Sequence, residues 1–536
     1  MRFQVIVKYI ISAGIIFRII TLNASGFWLD EALQFWTSKG IPYQQLHKLD
    51  AQAQDITWQG LTYNTHRKLL GSPTFTILIH HWSRISNSVF WLRIIPFLFG
   101  LGALLLMYFI SIGCGFSKNW AFAIAAFCTW NAPWVFYSSE LRPYSFEIFC
   151  SALTLFILIK TLKNKYILFS HCIWLALSIS LGITSGYGYH IYYPFFVVFL
   201  VLYVMIKDDD SKIRKFFKVL ILIFPVIISL LYVKTSMLKF LITRGFQPSH
   251  LTYLNQYDGT GYILNTIKMI IYTISWQLFN VQRLFFYDLP LGLPFVILTT
   301  LFLMYSISIP LSSIKEKDMI KCTVLMIFIY SIVICSILST KGLVPMGPFR
   351  HNLFFSPAVF IGFFICIRHS YETFIKDRLK IKEGLALILL TFLLAPSIFR
   401  NSSLFFNYEE VVWSISRENW HILLKEIQEA VDANDKIAVY INERSIPAFK
   451  YELIYSDIPW VKKLKYEDIT TDSKSFKAAA NSEYDYQWYM FGDVYSNIVN
   501  RVKDCLMKKY DIIMDKEYFL PRQGVAGFRA RRKTRQ

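Results

Sequence analysis

The sequence predicts an α-helical polytopic membrane protein, and three observations predict it. First, 54% of the residues are hydrophobic and only 17% are charged, with a mean hydropathy of +0.40. Second, apolar runs of roughly 17–25 residues, the length that crosses a bilayer core as a helix, recur along the chain. Third, these runs are long and well separated, which suits helices and not the short alternating strands of a membrane barrel.

Spans are expected near 3–22, 91–112, 119–138, 144–160, 167–185, 190–206, 216–234, 289–311, 320–339, 352–368 and 384–400, about eleven in all. The first is too long for a signal-peptide core and no small-residue cleavage site follows it, so it reads as a retained helix. The net charge is +20, but residues from Asn401 onward hold 21 Lys plus Arg against 20 Asp plus Glu. The excess therefore lies among the apolar segments. That is the positive-inside pattern, not the footprint of a nucleic-acid partner.

The short loops set the orientation. One set carries Lys160, Lys163 and Lys165, then Lys207 to Lys218, Lys315 to Lys321 and Arg368 to Lys382; the other carries Arg142, Lys341 and Arg350. The first set is expected in the cytoplasm. The N-terminus is then cytoplasmic and the C-terminal segment extracytoplasmic. The basic tail FRARRKTRQ runs against this, but translocated domains largely escape the charge rule.

On the outer side, residues 23–90 mix apolar and polar positions at helical spacing, as interfacial helices do. Residues 235–288 read as a second long, turn-rich loop. At about 401 the composition changes. Residues 401–536 read as a small α/β domain: a helix at 418–431, strands at KIAVYIN and YQWYMF, a helix at 494–509, and strands at DIIMD and GVAGFRA. Residues 1–400 are the membrane domain. No GxGxxG or GxxxxGK[ST] fingerprint is present. The eight cysteines show no metal spacing, and seven lie in or beside apolar segments, which argues against a disulfide framework.

The polar clusters all fall on the outer side: Asp30 and Glu31 after the first span, Glu140, Arg142 and Tyr144 in SSELRPYSFE, Tyr187, Tyr189 and His190 in GYGYH, and Arg350, His351 and Asn352 in GPFRHN. An enzyme of the membrane surface shows this distribution. A coupled transporter carries ionisable groups in mid-membrane, and here the span centres hold little charge; Arg18 sits near enough to the outer end of its helix to snorkel. From position alone, Asp30 and Glu31 fit either the cap and first turn of a helix starting near Ala32 or a general base for a hydroxyl. Adjacent helical residues diverge by about 100°, so one carboxylate reaches the chemistry, not both. Arg142 and Arg350 fit either interfacial anchors or clamps for a phosphate or carboxylate. Glu140 fits a second acid or a metal ligand. His80 and His81 read as packing or lipid-surface residues, and no HExxH spacing occurs.

FRIITLNASGFWLDEALQFW resembles the end of the first span and the first outer loop of family-39-type glycosyltransferases of the GT-C superfamily, which include protein O-mannosyltransferases and aminoarabinose transferases. GSPTFTILIHHW, FWLRIIPFLFGLGALLLMYFI, SSELRPYSFEIF and PFRHNLFFSPAVF resemble further segments of that family in the same order. The match covers most of residues 1–160 and a patch near 350.

The resemblance implies a bacterial inner-membrane enzyme whose donor is a polyprenyl-phosphate sugar and whose transfer inverts the anomeric centre. The acceptor would be a glycan, lipid or protein hydroxyl. Asp30 would be the catalytic base with Glu31 beside it. Arg142 and Tyr144 would line the site, and Arg350, next to His351, would hold the donor phosphate. No cofactor is firmly implied; a divalent metal fits at Asp30 and Glu140. Ser72 stands where the family often has His or Lys, and His351 where Tyr is usual, so a phosphate contact is either missing or supplied by His66, Arg67, Lys68 or Arg244. A transporter or flippase of lipid-linked sugars and a non-catalytic scaffold with this fold are the alternatives.

The orientation has a direct check. Single cysteines replacing Lys163 or Lys317 are expected to react with an impermeant maleimide only after the cytoplasmic face is opened. A cysteine replacing Lys341 is expected to react on intact cells. Labelling of all three from one side would overturn the topology.

Overall fold

The computed structural model describes residues 2–22, 27, 29–41, 72–164, 167–207, 210–233, 259–279, 297–306, 318–340, 350–375, 420–426, 436–441, 446–455, 469–470, 486–494, 503–504, 507, 510–519 and 524–532. The chain divides into two compact units. The first comprises residues 1–19, 66–75 and 95–401, the second residues 20–65, 76–94 and 402–536. Most of the first loop therefore groups with the C-terminal segment.

In chain order the helices are α1 (Arg2–Thr21), α2 (Leu29–Ser38), α3 (Pro73–Trp82), α4 (Val89–Gly113), α5 (Lys118–Trp130), α6 (Ala132–Ser138), α7 (Tyr144–Lys163), α8 (Phe169–Ile183), α9 (Tyr187–Lys207), α10 (Lys212–Val233) and α11 (Gly259–Phe279). They continue with α12 (Ile297–Ser306), α13 (Met319–Thr340), α14 (Ser356–Ser370), α15 (Trp420–Glu426) and α16 (Ile446–Tyr455), and a 3-10 turn, Arg350–Phe355, leads into α14. Among the described residues six helical segments are long and apolar enough to cross a membrane: α1, α4, α7, α9, α13, and α14 with its flanking turns (Asn352–Thr373). α8 and α12 are shorter apolar helices, α10 covers the span expected at 216–234, and the one expected at 384–400 lies outside the described residues. Large apolar side chains stay exposed along α1 (Ile6, Tyr9, Ile16), α9 (Val198, Leu202, Ile206) and α10 (Phe216, Phe224, Leu231). Exposed apolar faces this long suit lipid and not water.

Two expectations for the first unit are corrected. The run at 119–138 is not one helix, because Asn131 ends α5 and caps α6. Its side chain accepts from the Trp134 amide, and Pro133 occupies the first turn, where a missing N–H costs nothing. Residues 259–279, expected within a loop, form α11; polar residues through NTIK and Gln277 had masked its apolar pattern. Gln277 is buried and joins distant elements. Its carbonyl accepts from Asn131 Nδ2 at 2.7 Å, and its Nε2 donates to the Asn352 carbonyl at 2.7 Å.

The break at Asn131 also explains Arg18, which does not snorkel. A helix C-terminus leaves its last carbonyls without partners. Arg18, wholly buried, donates to the carbonyls of Cys128 at 3.0 Å and Thr129 at 2.9 Å through Nη2, and to Thr129 again through Nε. Its Nη1 donates to the Trp134 carbonyl and to Ser138 Oγ. A buried guanidinium needs every donor met, and the interrupted helix supplies the acceptors.

In the second unit five strands, β1 (Lys436–Ile441), β2 (Ile469–Thr470), β3 (Tyr486–Val494), β4 (Tyr510–Phe519) and β5 (Gly524–Arg532), form one mixed sheet in the order β2-β1-β3-β5-β4. β1 pairs in parallel with β2 and β3, while β5 is antiparallel to β3 and to β4. Much of the basic tail is therefore strand, with Arg531 in register with Tyr486 on one side and Asp511 on the other. α16 falls where the sequence reads as polar loop; its residues 446–452 are all buried.

Arg18→Leu strands the α5 carbonyls and is expected to lower stability in detergent by about 2 kcal/mol or more. Arg18→Lys restores only part, since an ammonium cannot span the same acceptors. Thermal unfolding of the purified variants measures this; an unchanged midpoint for Arg18→Leu would refute the capping role.

Candidate functional site

Asp30 and Glu31 lie in the first turn of α2, which begins at Leu29, three residues earlier than expected. Their environments differ. Glu31 is fully buried and Asp30 half-buried. Arg93 of α4 grips Glu31 through both ends of its fork, Nε to Oε1 at 2.9 Å and Nη2 to Oε2 at 2.6 Å. Its Nη1 donates to the Leu22 carbonyl at 3.1 Å, and the guanidinium lies over the Phe27 ring. A buried, bidentate arginine–carboxylate pair fixes both groups in place. Arg93 was missed in the sequence, although an arginine near the start of an otherwise apolar helix signals a buried partner.

The rest of α2 is held by aromatic contacts within the same unit. Trp36 Nε1 donates to the Pro447 carbonyl at 2.8 Å, and Lys450 lies over the Trp36 ring. Phe27 and Phe35 pack on Tyr451, whose hydroxyl donates to the Asn87 carbonyl at 2.6 Å. Burial raises the Tyr451 hydroxyl pKa and so keeps it a donor. Gln34 Nε2 donates to Thr76 Oγ1, tying α2 to α3.

The remaining sequence-predicted residues belong to the first unit. Glu140 is fully buried in the turn between α6 and α7, a turn closed by the Arg142 amide donating to the Glu140 carbonyl at 2.7 Å. The Arg142 guanidinium lies over the Tyr144 ring at 5.7 Å, and Tyr144 in turn packs on Tyr137. Glu147, one turn into α7 and buried, was not singled out from the sequence; Arg142 is the opposite charge that acts on it. Gly186 is needed beside it, because a Cβ there would stand 1.6 Å from Glu147 Oε1. Gly188 similarly admits the Phe354 ring, which a Cβ would meet at 2.1 Å.

The 3-10 turn 350–355 packs on α7 and on α9. The structure thus sets the turn bearing Arg350 and His351 against α7, the helix that follows the turn bearing Glu140 and Arg142, and against α9, which bears His190. His66, Arg67, Lys68 and Arg244 lie outside the described residues. Ser72 Oγ caps α3 by accepting from the Phe75 amide and donates to the Thr184 carbonyl. Among the described residues no group of three or more His, Cys, Asp or Glu could hold a metal ion.

No protein-family model and no curated protein match the chain. Among solved structures it is similar to ArnT from Cupriavidus metallidurans bound to undecaprenyl phosphate, at 10% identity and a TM-score of 0.46, over 97% of each chain. It is also similar to the oligosaccharyltransferase AglB from Archaeoglobus fulgidus in complex with an inhibitory peptide and a dolichol-phosphate, at 13% identity and a TM-score of 0.41, over 90% of this chain and 69% of that one. A further Archaeoglobus fulgidus oligosaccharyltransferase structure, tethered to an acceptor peptide, has a TM-score of 0.43 at 10% identity and covers 95% of this chain and 73% of its own. These proteins are GT-C superfamily membrane glycosyltransferases.

Removing one member of the Glu31–Arg93 pair strands a buried charge. Arg93→Ala is expected to cost about 3–5 kcal/mol and to reduce the yield of folded protein. Glu31→Leu combined with Arg93→Leu should recover most of that loss. Melting temperatures across this double-mutant cycle are the measurement, and purely additive losses would show that the pair does not act as a unit.

Proposed function

We propose that the chain is an inverting glycosyltransferase that moves a sugar from a polyprenyl-phosphate donor to a hydroxyl on the outer face of the cell membrane. The acceptor is a cell-envelope glycan, a lipid or a protein, and the sugar a hexose or pentose. The membrane orientation is the one the loop charges indicate, with the N-terminus inside and the C-terminal α/β domain outside.

The observation that carries this reading is the unequal setting of the two acids in the WLDEA segment. Glu31 is bound by Arg93 at both oxygens; a carboxylate so held is fixed in position, with both oxygens already engaged. Asp30, half-buried at the start of the same helix, takes the base role. The ordered set of motifs that resemble family-39-type GT-C enzymes supports the same assignment.

In the step proposed, the acceptor oxygen forms a bond to the anomeric carbon as its proton passes to the Asp30 carboxylate. The bond from that carbon to the phosphate oxygen breaks, and the polyprenyl phosphate departs with the electron pair. Attack opposite the leaving group inverts the centre. The leaving phosphate carries negative charge, so cationic stabilisation matters more than a general acid; the resemblance to family-39-type enzymes assigns that part to Arg142 and Arg350.

Asp30→Asn is expected to lower transfer by about 10²–10⁴-fold while leaving binding of polyprenyl-phosphate sugars within about twofold of the parent. Turnover and donor binding in detergent, with a panel of such donors, are the measurements. Transfer at the parent rate would remove Asp30 as the base. Donor movement across vesicles without any transfer would favour a flippase.

A further inference from the structure

Four cationic or titratable basic residues meet where α2 and α3 end, at the other end of α2 from Asp30. Lys39 follows α2. His80 and His81 occupy the last turn of α3, and Arg84 lies just beyond it. All four belong to the second unit. Lys39 Nζ donates to the Ser83 carbonyl at 3.2 Å and lies over the Phe35 ring at 5.4 Å. His80 Nδ1 meets the Ser38 carbonyl at 2.8 Å, and its Nε2 meets Arg84 Nη2 at 3.0 Å.

The two contacts of His80 fix its tautomer. A carbonyl can only accept, so Nδ1 carries the proton. A guanidinium can only donate, so Nε2 is the acceptor. His80 is therefore neutral. Burial lowers its pKa, the bond to Ser38 opposes that, and Arg84, His81 and Lys39 lower it further. Its role is to connect the end of α2 to Arg84 and hold that guanidinium in place.

The result is a pair of pre-positioned cations, Lys39 and Arg84, with His81 exposed beside them. Among the described residues no carboxylate pairs with either cation. The two repel one another: burial first, then Arg84, lower the pKa of Lys39. The helix C-termini and the Ser83 carbonyl offset part of that repulsion. Several donors of Arg84 and Lys39 are turned to neither of these acceptors.

The surroundings suit a bilayer surface. Ile85 and Phe90 are exposed at 68% and 41%. Trp82 and Trp91 stack in parallel at 4.4 Å, and each indole N–H donates to the other's carbonyl. Tryptophan pairs with apolar neighbours and nearby cations belong at headgroup level.

We propose that Lys39, Arg84 and His81, with His80 as the positioning residue, bind the phosphate of an anionic phospholipid headgroup. The exposed apolar side chains beside the cations are what favour a lipid phosphate over a soluble one. This site is independent of the donor-phosphate arginines and of the glycosyltransferase reading.

The test is native mass spectrometry of the full chain in detergent titrated with phosphatidylglycerol, with phosphatidylcholine as the uncharged comparison and inorganic phosphate as a competitor. The parent protein is expected to retain phosphatidylglycerol in preference to phosphatidylcholine. Arg84→Gln, a change at an exposed residue, and Lys39→Gln should each weaken that retention roughly fivefold. His80→Phe, which keeps both cations but frees Arg84, should weaken it less than Arg84→Gln does. Retention unchanged in both charge variants would overturn the site. Displacement by inorganic phosphate at equal concentration would overturn the lipid as its occupant.

Discussion

A guanidinium carried into a protein interior must have its donors met, and two such groups govern how this chain is put together. Arg18 needs backbone carbonyls that an unbroken helix would have used internally. The chain provides them by stopping α5 at Asn131 and restarting as α6. Arg93 needs a carboxylate with two oxygens available, and α2 presents Glu31 at its first turn. In each case the arginine and the irregularity that serves it lie far apart in sequence. Changing one without the other leaves a buried polar group exposed to an apolar setting, where it costs far more than in water.

The Arg93 pair also separates the duties of neighbouring acids. Side by side, Asp30 and Glu31 are chemically almost equivalent. Burial and a bidentate partner make Glu31 a fixture of the scaffold, while Asp30 occupies the more accessible position. Gln277 plays a comparable part in the first unit. By bonding to Asn131 and to the Asn352 carbonyl, it links the break between α5 and α6 to the turn carrying Arg350 and His351. A polar residue joining two irregular segments fixes their relative placement more tightly than apolar packing alone.

Much of this was legible in the sequence, and what was not has a physical reason. Long apolar runs declared the helices α1, α4, α7, α9, α13 and α14, because lipid-length hydrophobicity is a strong local signal. The strands β1, β3, β4 and β5 were visible as short β-branched and aromatic runs. The break at Asn131 was hidden because the apolar run continues through it, and Arg18, which uses the carbonyls it frees, lies more than a hundred residues away. α11 was hidden by polar residues such as Gln277, whose amide and carbonyl bond to Asn352 and Asn131 of other segments. Arg93 was read as part of an apolar span because a lone charge at the end of such a run hints at a partner without naming it. Glu147 was passed over for the same reason: its meaning depends on Arg142 and on the bare backbone at Gly186. Local pattern predicts elements; pairwise polar contacts require the fold.

The order of the sheet has a consequence for how the chain is made. β5 follows β4 in sequence, yet it lies between β3 and β4. As synthesis proceeds from the N-terminus, β1, β2 and β3 can assemble as a parallel core while β4 has no strand to join. β4 becomes part of the sheet only after β5 has emerged and turned back beside it. Until then β3 offers an open edge, the kind of surface on which incomplete sheets associate wrongly. Quality control of this segment therefore hinges on prompt delivery of residues 524–532.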